Sequence, residues 1–235
     1  MFITGTNTDV GKTIVTGLIA RYFIDKNINT ITQKWVQTGC ESFSPDIQTH
    51  WLLSQKTKQD YAAYLTDICP YHFTLPASAH LAAKKDNITI NPSTIITAFK
   101  KLYKTFSQVI VEGIGGIMVP LTNSITTLHI IKQLNLPVII VFSNELGAIN
   151  HTLLTIETCK KNNIPIIGLI SNQTTSSIPN KDIFNDNPKI IETLSAYPLL
   201  TEIPYLKNIN PTTITKEPFF IKLSQQLDHF YNRAI

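Results

Sequence analysis

The sequence predicts an α/β domain in which a parallel sheet carries helices on both faces. Two observations lead there: short β-branched runs alternate with longer helical stretches along the chain, and several of those runs are apolar at successive positions rather than at every second one. Such a rhythm makes parallel strands joined by helical crossovers, and a strand buried on both faces loses the polar half of its pattern. With 235 residues, 43% of them hydrophobic and 15% charged, the chain can bury a substantial core and is read as a single domain, residues 1–235.

The strands are expected at FITG (2–5), TITQKW (30–35), QVIVEG (108–113), PVIIVF (137–142), PIIGLIS (165–171) and LLTEIP (199–204). The first helix begins at Gly11, in GKTIVTGLIARYFIDK. A later one begins at Asn91-Pro92, where Asn caps and Pro takes the first helical position ahead of STIITAFKKLYKTF. Another begins near Gly147, past the strand that ends at Phe142. Residues 36–90 are too long for a simple connection and are expected to supply helices and site loops. Right-handed crossovers then place ligands at the carboxyl ends of the strands. Seven of the nine glycines (Gly5, Gly11, Gly39, Gly113, Gly115, Gly116 and Gly147) fall just after an expected strand or at an expected helix start, where a ligand can approach the backbone.

Composition narrows the function classes. The net charge of +4 comes from scattered lysines without a clustered stripe, which argues against nucleic acid and suits small anions. Cys40, Cys69 and Cys159 are odd in number and form no C-x-x-C pair, so neither a disulfide framework nor a zinc site is expected. A reducing cytoplasm fits that usage. No signal peptide precedes FITG, and no apolar run reaches the ~18 residues of a membrane span, so no membrane partner is expected.

Three clusters carry chemistry. GTNTDVGKT (5–13) ends like a phosphate-binding loop but places five residues between its glycines, where the generic G-x-x-x-x-G-K-[ST] pattern has four. The flanking strand and helix supply the context in which backbone N–H groups and a helix N-terminus surround phosphate, with Lys12 reaching the terminal phosphates and the Thr13 hydroxyl ligating Mg²⁺. An ordinary strand-to-helix turn is the alternative. In VIVEGIGG (109–116), Glu112 ends a buried strand where it can complete a Mg²⁺ shell, while Gly113, Gly115 and Gly116 admit a ligand or merely a tight turn. Asp46, in SPDIQTHWLL, is read from spacing first as ordinary helix capping, with a site role as the alternative. In QKWVQTGC (33–40), Lys34 closes the second strand, with Thr38 and Gly39 in the loop beyond; it either meets an anion or snorkels to solvent.

Taken in order, GTNTDVGKT, K-x-V-x-[ST]-G, an Asp, VEGIGG, LGAINH (146–151) and EIPYL (202–206) resemble the dethiobiotin synthetases of the P-loop NTPase superfamily, from residue 2 to about residue 206. That family's loop carries the same extra residue between its glycines. The resemblance implies a P-loop NTPase-like fold and an ATP-dependent, Mg²⁺-dependent ring closure in which 7,8-diaminononanoate and CO₂ become dethiobiotin, ADP and phosphate. It implies that Asp9, Val10, Gly11, Lys12, Thr13 and Ile14 line the ATP phosphates and that Thr13, Asp46 and Glu112 surround Mg²⁺. By the same resemblance Lys12 and Lys34 are the catalytic cations, and Gly113 and Gly115 lie beside the nucleotide. Asn172, Gln173, Pro204, Tyr205 and Leu206 belong to the adenine side, and Thr8, Thr38, Gly147, Ala148 and Asn150 to the substrate. A homodimer whose second subunit completes the site is also implied.

The chain departs from the family pattern at Trp35, Ala79, Ile114 and Gln173. None removes a charge or ligand, but the ring at position 35 is expected to affect the aim of Lys34 or the shape of the substrate pocket. The alternative function is a nucleotide-switch ATPase of the chromosome-partitioning kind. Its loop normally carries an early lysine, whereas residues 6–8 here are Thr, Asn and Thr.

Overall fold

Strand FITG, β1 (Phe2–Gly5), forms the middle of the sheet, with a neighbour on each side. The computed structural model describes residues 1–177 and 181–233. From β1 the chain runs through α1 (Lys12–Asp25), β2 (Thr30–Lys34), β3 (Val36–Thr38) and α2 (Pro45–Ser54). A 3-10 turn (Gln59–Tyr64), α3 (Leu65–Ile68), β4 (Tyr71–Phe73), α4 (Ala79–Lys85) and α5 (Pro92–Thr105) come next. Then follow β5 (Gln108–Gly116), α6 (Thr127–Gln133), β6 (Val138–Ser143), α7 (Ala148–Lys161) and β7 (Ile166–Asn172). The chain closes with α8 (Lys181–Ser195), β8 (Leu199–Ile203), a second 3-10 turn (Ile214–Lys216) and α9 (Pro218–Arg233).

Six strands pair in the order β2-β5-β1-β6-β7-β8, all parallel, and β3 pairs with β4 in a separate small parallel ladder. The apolar runs divide by alternation. Phe2, Val109, Val111, Val138, Ile140 and Phe142 face one core with α5, α6 and α7. Ile3, Ile110, Ile139 and Val141 face the other with α1 and α9. Burial on both faces explains why the strands read as continuous apolar runs.

Several boundaries differ from expectation. The second strand stops at Lys34, and Trp35 turns inward, buried against Phe2 with ring centroids 4.8 Å apart. β5 runs on to Gly116, so Gly115 and Gly116 lie in the strand end rather than after it. Asn91 caps α5 as read, its side chain accepting the Ser93 N–H at 2.9 Å.

One glycine outside the motifs matters for the site. α2 lies so close to α1 that a Cβ on Gly17 would sit 2.6 Å from Leu53 Cδ1. This approach holds α2 across the carboxyl end of β2.

Candidate active site

Beyond β1 the loop is tied to the sheet and to itself. The Thr6 N–H donates to Val141 O of β6 at 3.0 Å, and the Thr8 N–H donates to Asn7 Oδ1 at 2.8 Å. Asp9 takes φ 55° and Gly11 takes φ 96° as N-cap of α1. Left-handed turns leading into a helix point successive N–H groups into one concavity, which suits phosphate oxygens. Lys12 folds back over this loop and donates to Asn7 O at 2.8 Å. The Asn172 amide, at the end of β7, donates to Val10 O at 3.0 Å and holds the loop from the other side.

The adjoining strand ends supply charge. Lys34 lies opposite Glu112 across the β2–β5 pair. Its Nζ is 2.7 Å from Glu112 Oε1 and 2.7 Å from Asp46 Oδ2, and it donates to Gly113 O at 3.1 Å. Thr13 donates to the same Glu112 Oε1 at 3.0 Å. The cluster is buried: Lys34 is 4% exposed and Glu112 2%. Lys34 therefore does not snorkel. Asp46 does not cap its helix either: Ser44 does, accepting the Ile47 N–H at 3.2 Å, while the Asp46 carboxylate turns to Lys34.

Burial opposes each of these charges, and the neighbours decide the outcome. Burial alone would raise the Glu112 carboxyl, but the Lys34 charge and the His50 hydrogen bond hold it well below its usual range. Burial likewise opposes the Lys34 ammonium, yet the Glu112 and Asp46 charges keep it above the ordinary lysine value. For Lys12, burial comes first and the Lys34 charge adds to it, bringing the group down to about 8.

These residues line one cleft of about 350 Å³, with Thr8, Asp9, Gly11, Lys12 and Thr13 on one side and Lys34, Gln37, Thr38, Asp46, Glu112, Ile114 and Gly115 on the other. Trp35 does not line it; its indole N–H donates to Gln33 at 3.0 Å inside the core, so the expected disturbance of the pocket is absent. Gln173 lies outside this cleft, beside a second cavity of about 450 Å³ that it shares with Ser143, Leu146 and Phe184, and its N–H donates to Ile203 O of β8 at 2.9 Å. Pro204, Tyr205 and Leu206 follow directly. Gly147, Ala148 and Asn150 lie outside the cleft: Gly147 caps α7 at φ 92°, Ala148 is buried, and Asn150 is exposed.

Sequence reasoning missed His50. Its Nε2 lies 2.7 Å from Glu112 Oε2, and the ring is fully buried. The signal was its spacing, four residues after Asp46 and so on the same face of α2.

A parallel sheet with a glycine-rich loop leading into a helix, and an acid on the neighbouring strand, defines a P-loop nucleotide-dependent enzyme. Solved structures agree on the fold: the cell division ATPase MinD of Pyrococcus furiosus (TM-score 0.56, 19% identity, 97% of this chain and 98% of that one) and the septum site-determining protein MinD of Pyrococcus horikoshii, complexed with Mg-ADP (0.59, 17%, 100% and 98%). Residues 1–213 match a family described as an AAA domain. Among curated relatives, the ATP-dependent dethiobiotin synthetase BioD of Anoxybacillus flavithermus is 38% identical over 89% of this chain and 93% of its own length. That of Bacillus subtilis is 34% identical over 91% and 90%, and BioD 2 of Haemophilus ducreyi 43% over 66% and 72%. The chain belongs to the ATP-dependent dethiobiotin synthetase family.

Proposed function

We propose that this chain, as one domain spanning residues 1–235, performs the whole ring closure. One amine of 7,8-diaminononanoate captures CO₂ as a carbamate. A carbamate oxygen attacks the γ-phosphorus of ATP, ADP leaves, and the second amine attacks the carbonyl carbon and expels phosphate to give dethiobiotin. No protein nucleophile is required, so the protein's task is positioning and neutralising charge on the transferring phosphoryl oxygens.

One observation carries the reading: two buried ammonium groups, Lys12 and Lys34, share a cleft with the Asp9, Asp46 and Glu112 carboxylates and with Thr13, where α1 and α2 meet the ends of β2 and β5. Fixed cations in a dry site stabilise developing negative charge without reorganisation. The N–H groups of residues 9–14 would hold the phosphates, and the Thr38 hydroxyl, which lines the same cleft, would orient the diamine. Gly115 lines the cleft and would lie beside the nucleotide, whereas Gly113, expected there too, gives its space to the Phe2 ring, 2.8 Å from where a Cβ would sit, and touches the site only through its carbonyl on Lys34. Asn172, Gln173, Pro204, Tyr205 and Leu206 would face adenine, and Thr8 the substrate.

The donors Thr13, Asp46 and Glu112 fit Mg²⁺, because all are oxygens and two are carboxylates already directed at one cationic point, the Lys34 ammonium. When bound, Mg²⁺ would supply further neutralisation of the phosphates. A homodimer completes the reading: the first turn of α7, with Gly147, Ala148 and Asn150, would hold the carboxylate of a diamine bound by the partner subunit. The three free thiols support a reducing cytoplasm, and no helix of the described residues is long and apolar enough to cross a membrane.

The test is phosphate release and product mass in MgATP with diamine and bicarbonate added singly and together. Release is expected only with both, accompanied by the mass of dethiobiotin. Turnover indifferent to the diamine and stimulated by DNA or a protein partner would replace this reading with a nucleotide switch.

A further inference from the structure

Glu112 is asked to do two things at once. Its Oε1 accepts from both Thr13 and Lys34, at 3.0 and 2.7 Å, and is the atom that faces the cleft chemistry. Its Oε2 points away, toward α2, and meets a single partner there, His50 Nε2 at 2.7 Å. A carboxylate with only one oxygen engaged can rotate about its terminal bond, and a rotated Glu112 would lose the convergence with Thr13 and Asp46.

We propose that His50 is a positioning residue for the cation-binding carboxylate: it anchors Oε2 of Glu112 and thereby aims Oε1 at the point shared by Thr13, Asp46 and Lys34. This rests on the reading of Glu112 as a Mg²⁺ ligand. The ring reaches no solvent, and its Nδ1 has no hydrogen-bond partner among the described residues. An ionised carboxylate only accepts, so the proton of this hydrogen bond sits on Nε2. The ring is itself held, because the close packing of Leu53 over Gly17 fixes α2 against α1 and the Ser44 hydroxyl ties the start of α2 to Gln37 Oε1 at 2.6 Å. An imidazole buried with one of its nitrogens unpartnered is a cost the fold carries, and the Glu112 contact is what it obtains in return. Partners that orient a metal ligand in this way typically matter by about 10–100-fold in metal affinity.

The test is Mn²⁺ binding in the presence of ADP, read by electron paramagnetic resonance, alongside the Mg²⁺ dependence of turnover. His50→Leu should weaken Mn²⁺ binding about 10–100-fold and raise the Mg²⁺ requirement similarly, with turnover at saturating Mg²⁺ changed far less. His50→Gln, whose amide nitrogen can reach the place of Nε2, should recover most of the affinity, whereas His50→Asn, whose amide is too short, should not. A merely structural role would lower the melting temperature of all three without separating Gln from Asn. Equal, wild-type Mn²⁺ affinity in the Gln and Asn variants overturns the proposal even where Leu fails to fold. Glu112→Gln separates the two layers. If it binds Mn²⁺ like the wild type, the reading of Glu112 as ligand fails; if it loses Mn²⁺ while the His50 variants keep it, only the role of His50 fails.

Discussion

Asn172 closes over Gly11 so tightly that a Cβ on that glycine would lie 2.1 Å from the Asn172 amide nitrogen. Gly11 stands at φ 96°, where an L side chain is strained in any case. Gly11→Ala is therefore expected to push the loop away from β7, lowering stability by about 1–3 kcal/mol and ADP affinity at least tenfold. Thermal unfolding and an ADP titration check this; wild-type nucleotide affinity would mean that the loop tolerates a displaced Asn172.

Lys34 is held by two carboxylates and a carbonyl, and each loses its cation in Lys34→Gln. Breaking a buried pair costs about 3–5 kcal/mol when nothing replaces the lost charge, so the melting temperature should fall and added Mg²⁺ should recover part of it. Turnover should drop roughly a hundredfold while ATP still binds, because the charge acts mainly on the transferring phosphoryl group. Normal turnover would remove Lys34 from the chemistry.

The three thiols should separate by pH. Burial pushes Cys69 and Cys159 up to about 12, and Cys40 is only half-buried. Partial burial and the Asp46 charge raise the Cys40 thiol as well, above the ~8.5 of a free thiol, so its advantage at pH 8 lies in its exposure. Near pH 8 in the folded protein, only Cys40 is expected to react promptly with a disulfide reagent, and denaturant should release two more thiols. Reaction of the buried pair should rise about tenfold per pH unit as thiolate accumulates. Three prompt thiols at pH 8 would contradict the burial of Cys69 and Cys159.

For the shared site, a charge at Ala148 would be a poor probe, since that residue is buried at 3% exposure and the substitution would act on folding. Asn150 is exposed in the first turn of α7, so Asn150→Asp adds a negative charge that should repel the substrate carboxylate without disturbing the core. Leu146, 86% exposed just before that helix, is apolar surface available to a partner. Mixing Lys34→Gln with Asn150→Asp protomers should restore about a quarter of wild-type activity, because half of randomly mixed dimers carry one intact site of two. Mixtures that never recover, or an active monomer in sedimentation, would rule out sharing.

The large sheet and its helices were legible because their signals are local. Strands such as VIIVF are apolar on both faces, and Asn91-Pro92 carries cap and first turn in two residues. The short β3–β4 ladder was not legible, as three residues on each side leave no periodicity. Within the site, the order of motifs pointed to Lys12, Thr13, Lys34 and Glu112, which the fold brings into one cleft. What escaped depends on where α2 lies. Spacing alone favours a capping role for Asp46, and only the family resemblance sets it at the site, because Ser44, which takes the cap, and the distant Lys34 offer no contiguous pattern. His50 was overlooked for the same reason, since its partner is contributed by β5. Trp35 misled because a residue following a strand's last side chain need not share its direction; its ring goes to Phe2.

The central place of β1 has a consequence for how the protein is made. Both of its neighbours, β5 and β6, are translated on the order of a hundred residues after it. During synthesis β1 and the anion loop leave the ribosome before every partner that ties them down, the strand waiting for β5 and β6 and the loop for Val141 and Asn172. A nascent chain stopped before β6 has no completed phosphate cradle, so nucleotide can stabilise only the later products of translation. A strand made ahead of both its partners is thus among the later parts of the fold to acquire its working shape.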